Sequence, residues 1–188
     1  MTDATQSRRF QEIALPHLDA AYNLARWLSR NDDDAQDIVQ EAFLRAFKSF
    51  AGFRGESCRP WLLAIVRNTC YTWLRQHRSA KLEVPYDDAL ALEESGGQSY
   101  PERPDANPEA IVASSEDRRL FDAALAALPI EFREAVILRD VEELSYKDIA
   151  TVAAIPIGTV MSRLARARGL LQRSPLLHAV RGLVSGGQ

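Results

Sequence analysis

Arg59 to Lys81 reads "RPWLLAIVRNTCYTWLRQHRSAK", with five positive charges, two tryptophans and a tyrosine, and no acid occurs between Glu56 and Glu83. At 100° per residue, one half of the helical wheel takes Leu62, Leu63, Ile65, Val66, Thr69, Cys70, Trp73 and Leu74. The other half takes Arg67, Asn68, Tyr71, Arg75 and Arg78, with Trp61 at its border. The spacing predicts a helix that buries its apolar side in a small bundle and turns a cationic, ring-bearing side outward. Guanidinium groups attract phosphates, rings stack on unpaired bases and an amide bonds to a base edge, so this side suits strand-separated DNA. A solvated amphipathic helix with its tryptophans in the core has the same composition, and Trp73 is assigned to the core.

Working outward, charge divides the chain into three. Residues 1–78 carry 11 basic and 9 acidic side chains, residues 79–115 carry 2 and 8, and residues 116–188 carry 10 and 9. The net charge of -3 thus conceals two mildly basic flanks around an acidic block. That block, "LEVPYDDALALEESGGQSYPERPDANPEA", also concentrates Pro, Gly and Ser, and it reads as a mobile linker between two folded units.

Both flanks are helical by pattern and nearly free of strand alternation, so the expected fold is all-α: two small helical domains joined by a flexible acidic linker. In the first flank, a helix from Arg8 to Ser29 is followed by "NDDD", whose side chains cap a second helix to Phe50. "FRGES" then breaks the chain, and Ser57 with Pro60 opens the third helix, to Arg78. In the second flank, "SSEDRRLFDAALAAL" forms one helix, Pro129 starts another, and "SYKD" is a capping-box-like start for a third.

Glu143 to Gln172, "ELSYKDIATVAAIPIGTVMSRLARARGLLQ", carries the second chemical signal. A helix from Tyr146 to Val152, a turn through Ala153 to Ile155 and a helix from Ile157 to Arg173 predict a helix-turn-helix whose second helix enters a major groove. Val160, Leu164, Ala167 and Leu171 form the buried stripe, Met161, Ser162, Ala165, Arg166 and Arg173 point away, and Arg163 lies on the flank. No acid follows Asp148, and the exposed side is small and basic, which lets a helix sit close to base pairs. The Gly158 and Thr159 N–H groups near the helix start suit a phosphate.

Other functions find little support. Cys58 and Cys70 are the only cysteines, and His17, His77 and His178 are scattered, so neither set has zinc-ligand spacing. Cys70 reads as a small core residue and Cys58 as a helix-end residue. No phosphate-binding glycine loop, nucleophile elbow or His-carboxylate motif occurs, so neither enzymatic activity nor a cofactor is expected. No apolar run approaches the roughly 18 residues of a membrane span, and the first residues lack the core of a secretion signal. A cytoplasmic protein without membrane insertion is expected.

Three pieces in order, "DAQDIVQEAFLRAF" (Asp34–Phe47), "WLLAIVRNTCYTWLR" (Trp61–Arg75) and "LSYKDIATVAAIPIGTVMSRLARAR" (Leu144–Arg168), resemble the extracytoplasmic-function (ECF) sigma factors. These are small bacterial members of the sigma-70 family that direct RNA polymerase to promoters. The resemblance spans nearly the whole chain and implies a domain over 1–78 for core polymerase and the minus-10 element, a linker over 79–115, and a minus-35 domain over 116–188. It implies that Asp34, Asp37, Gln40, Glu41 and Arg45 face the clamp coiled coil of the largest polymerase subunit, with Ile38, Ala42 and Phe43 behind them.

By the same resemblance, the third helix and the loop Phe53–Arg59 open the minus-10 element and capture a flipped base, with Asn68 at the base-contacting position and Trp61, Arg67, Tyr71, Arg75 and Arg78 around it. Thr159, Ser162, Arg163 and Arg166 align with minus-35 contacts. Met161 and Ala165 share that face, where relatives carry Arg and a bulky aromatic. The implied partners are core RNA polymerase, promoter DNA and an inhibitory anti-sigma factor. A conventional helix-turn-helix regulator of duplex DNA would account for Leu144–Arg173 but not for the first two pieces.

Overall fold

A computed structural model describes residues 3–55, 57–81 and 119–174, with side chains from residue 5 to 77 (except 56) and from 119 to 174. The 79–115 linker therefore lies almost wholly outside the described residues, as does the tail beyond Ser174. Among the described residues the regular structure is helical throughout. The first group holds α1 (Asp3–Ala14), α2 (Leu18–Ser29), α3 (Asp32–Ser49) and α4 (Cys58–Lys81). The second holds α5, described over 119–126, then α6 (Ile130–Val136), α7 (Tyr146–Ala153) and α8 (Ile157–Gln172).

Local chemistry accounts for most boundaries. The Asn31 side chain accepts a 2.9 Å hydrogen bond from the Asp34 N–H, and Asp32, Asp33 and Asp34 place negative charge in the first turn of α3, where the helix dipole favours it. Ser145 caps α7 in the same way, its Oγ accepting from the Asp148 N–H at 3.1 Å and donating to the Asp148 carboxylate at 2.7 Å. Pro129 and Pro156 stand immediately before α6 and α8, where extended ψ angles of 142° and 148° turn the chain into each helix.

The helix expected from Arg8 to Ser29 is instead two. It begins at Asp3 and breaks into a 3-10 turn at Leu15–His17, because Pro16 lacks the N–H that the helix ladder requires and its ring crowds the preceding turn. A second departure from regularity follows α6, where a wide π-turn over Ile137–Val141 closes with the Glu142 N–H on the Ile137 carbonyl at 2.9 Å.

The two groups are in contact and share one core. α4 packs along α7 and α2 against α6. Leu24, Leu28, Ile38, Leu63, Val66 and Cys70 from the first group join Leu125, Ile137, Leu138, Ile149, Val152 and Leu164 from the second in a single apolar cluster. Each fully buried Leu or Ile in it contributes roughly 1.5–3 kcal/mol relative to exposure. A separate aromatic cluster fixes α1 to the turn before α4. In it Phe10 meets Phe43, Phe47 and Phe50 edge-on, with centroids 6.3, 5.3 and 5.2 Å away. Cys58 closes this cluster and Cys70 lies in the main core, both as free thiols. No single helix among the described residues is long and apolar enough to cross a membrane.

Candidate nucleic-acid interface

α7 and α8 meet at 99°, inside the range of a helix-turn-helix. Ala154 makes the turn in the left-handed region (φ 53°), and Ile155 N–H reaches back to the Ala150 carbonyl at 3.1 Å. Val160, Leu164 and Ala167 on α8 are buried and Met161, Ser162, Ala165 and Arg166 are exposed, as the wheel predicts, while Leu171, expected in the buried stripe, is only half-buried near the helix end. Thr159 is half-buried. Its N–H already donates to the Pro156 carbonyl at 2.9 Å, so of the two amides assigned to a phosphate this one is engaged within the turn.

Arg163 differs from its neighbours. Its side chain, 23% exposed, leans off the outer face of α8 to lie 3.7 Å from the Glu134 carboxylate.

On α4 the polar side is divided. Asn68 and Arg75 lie at the surface, whereas Arg67 and Tyr71 are half-buried against the second group. Arg67 donates from Nε to one oxygen of Glu134 and from Nη2 to the other, and Tyr71 donates to the Glu134 carboxylate at 3.3 Å. The Arg67 guanidinium also lies 4.5 Å from the Tyr71 ring centroid. Trp61 is not a free ring: it packs on Phe53 at 4.7 Å and Phe50 at 6.3 Å in the aromatic cluster. Arg78 falls in the last turns of α4, and its side chain lies outside the described residues.

Glu134, absent from the sequence-derived list, is 1% exposed. Burial pushes its carboxyl above the ordinary carboxylate range, and the Arg67 and Arg163 guanidiniums pull it back only in part. The Tyr71 hydroxyl is pushed up to about 12, first by burial and then by the neighbouring carboxylate.

Two more ties join the groups. Glu142, also buried, accepts from Arg59 Nη2 at 2.7 Å and from Asn23 Nδ2 at 3.2 Å. Arg133 donates to the carbonyls of Trp27 at 2.9 Å and Leu128 at 3.2 Å. Its burial, with Arg30 nearby, lowers its pKa to about 10, so it stays charged at neutral pH. The signal for these residues was present in "PIEFREAVILRDVEEL", where charges interrupt an apolar helical run.

The third set lies along α3. Asp34 is in its first turn, half-buried, while Asp37, Gln40, Glu41 and Arg45 are exposed, Glu41 and Arg45 pairing at 2.7 Å. Those four line a groove of about 420 Å³ completed by Leu44, Thr69, Thr72, Trp73 and Gln76. Trp73, assigned to the core, is thus at the core's edge, stacked on His77 at 4.1 Å. A second, mostly apolar groove of about 420 Å³ lies across α3, lined by Leu18, Asp19, Tyr22, Gln36, Val39, Gln40 and Phe43. Gln40 borders both.

Fold and site together define an all-α helix-turn-helix protein with a cationic helix in its first group. Family models agree: Sigma-70 region 2 matches residues 13–80 and Sigma-70 region 4 matches residues 118–171. The ECF RNA polymerase sigma factor SigE of Mycolicibacterium smegmatis is 36% identical over 165 residues, 87% of this chain and 60% of that protein. The sigma-E factor of Haemophilus influenzae is 37% identical over 79% of this chain and 77% of its own length. Among solved structures, the sigma factor RpoE of Bartonella quintana, in complex with the anti-sigma factor NepR, superposes with a TM-score of 0.70 at 28% identity over 91% of this chain and 98% of that one. The chain belongs to the ECF sigma factors of the sigma-70 family.

Proposed function

We propose that the protein is a promoter-specificity subunit: it binds core RNA polymerase, anchors a minus-35 duplex and captures a melted minus-10 strand, without enzymatic activity of its own. The observation that carries this reading is the exposed face of α8, where Ser162 and Arg166 stand clear of a buried apolar stripe in a helix-turn-helix, in a chain of this family. Residues 116–188 take the minus-35 role, with Thr159, Met161, Ser162, Arg163, Ala165 and Arg166 toward the duplex. Residues 1–78 take the other two roles, and 79–115 tether them.

The polymerase contact falls on α3. Its acidic and amide side chains between a polar and an apolar groove suit a helical partner that offers both basic and apolar groups, such as the clamp coiled coil. Asn68 and Arg75, at the surface of α4, and Arg67 and Tyr71 beside them, receive the minus-10 strand. Extruding a base costs a few kcal/mol, which stacking and phosphate contacts offset, so no nucleotide hydrolysis is needed. The protein works in the cytoplasm, and an anti-sigma factor holds it inactive, as the partner in the Bartonella complex suggests.

The test is transcription in vitro with purified core polymerase on a promoter library. Asn68→Ala is expected to lower transcription from duplex templates and to spare both pre-melted templates and polymerase pull-down. Arg166→Ala is expected to weaken minus-35 preference by about 1–3 kcal/mol. Failure to retain core polymerase in a pull-down would overturn the reading in favour of a free-standing regulator.

A further inference from the structure

We infer that the second helical group carries an internal counter-ion set that latches the chain closed and occupies its promoter-facing arginines until another molecule displaces it. The inference rests on the DNA role proposed for α4 and α8. Its basis is a matched spacing: Arg59 and Arg67 stand eight residues apart on α4, Glu134 and Glu142 stand eight apart across α6 and its π-turn, and they pair Arg67 with Glu134 and Arg59 with Glu142.

Both carboxylates belong to the second group and are at most 4% exposed, yet each reaches out of its own bundle for its partner. Glu134 also engages Arg163 on the flank of α8, so one carboxylate holds residues from both proposed DNA-reading faces. A phosphate and a carboxylate compete for the same guanidinium geometry. In the closed form Arg67 is 17% exposed and Tyr71 has its hydroxyl on the carboxylate, so the polar groups of both are already engaged while the latch is shut. Releasing Glu134 frees Arg67 of α4 and Arg163 of α8 at once, which couples minus-10 and minus-35 competence. Residues 82–118 join the groups, enough chain to span a separation, which also parts the apolar contact of α4 with α7.

The test uses the full chain, with small-angle X-ray scattering for opening and fluorescence anisotropy for DNA. The DNA probe is a labelled 20-nucleotide single strand of random sequence. Glu134→Lys/Glu142→Lys sets like charges against Arg67, Arg163 and Arg59. The expected result is a radius of gyration several Å above wild type and binding of the strand about tenfold tighter, as follows if the open form is a tenth or less of the wild-type population. Glu12→Lys/Glu143→Lys, which adds the same charge at exposed positions, is the reference for that gain.

Should buried lysine prevent folding, Arg59→Glu creates the repulsion from a one-third exposed side chain, and adding Glu142→Lys to it is expected to close the chain again. An unchanged radius in the folded lysine variant or in Arg59→Glu would overturn the latch. Opening without tighter binding would uphold the latch and overturn the assignment of these faces to DNA.

Discussion

Replacing Glu134 by methionine keeps its volume and removes its charge. Arg67, with 17% of its side chain exposed, then loses both acceptor oxygens, and Arg163, with 23% exposed, loses its nearest carboxylate. Breaking a buried ion pair from one side costs about 3–5 kcal/mol, because the remaining charge stays desolvated. Both guanidiniums keep some water contact, which sets the expectation at the lower end, about 3 kcal/mol. For a chain of this size that lowers the melting temperature by about 6–12 °C. Arg67→Met strands the Glu134 carboxylate instead and is expected to cost a similar amount. The double variant removes both members of the pair and leaves only Arg163 without its carboxylate, so its cost is expected to fall at least about 2 kcal/mol short of the sum of the two singles. Urea denaturation of the four proteins measures the cycle. Costs that add to within about 0.5 kcal/mol would show that Arg67 and Glu134 are not coupled and would refute the reasoning.

The raised Glu134 carboxyl also sets a pH dependence. A group whose folded-state pKa lies above its unfolded value, about 4.3 for Glu, contributes stability that is complete below that value and is lost as pH rises through the folded-state pKa. Wild type minus Glu134→Gln, followed by melting temperature from pH 4 to 8, is therefore expected to decline with rising pH; a flat difference would contradict the burial of this group. Cys58 and Cys70 are buried thiols, both pushed up by burial, Cys70 to about 12. Neither is expected to react with a maleimide at pH 7.5 on the timescale of an exposed thiol, and rapid labelling without denaturant would show that α4 is not packed as described. Ser145→Ala removes the cap of α7 and is expected to cost about 1 kcal/mol, read from the urea midpoint.

Where chain-local chemistry decides the outcome, the sequence was readable. Asn31 with three aspartates, Ser145 with Asp148, and the prolines at 129 and 156 mark helix starts that depend on groups only a few residues away. The break at Pro16 was harder, because the apolar positions on either side keep helical spacing across it. The π-turn after α6 left no local mark. Tertiary neighbours were less legible still. A helical wheel separates apolar from polar positions, but it does not say which surface covers them. Leu63, Val66 and Cys70 belong to a core that also takes in α7, so the stripe expected to glue one bundle joins two.

The same limit explains the site. Arg67, Asn68, Tyr71 and Arg75 share the polar half of α4, and a wheel assigns all four to the outside. What divides them is one carboxylate more than sixty residues away in sequence, Glu134, which takes Arg67 and Tyr71 and leaves Asn68 and Arg75 at the surface. A carboxylate inside an apolar helical run is costly without a cation, so Glu134 implied a buried partner somewhere in the chain. The excess of arginine without acid on α4 implied a missing anion. Each stretch alone admitted an outside ligand, but the matched eight-residue spacing makes them ligands for each other. It follows that any DNA bound at Arg67 must first displace a carboxylate already in place.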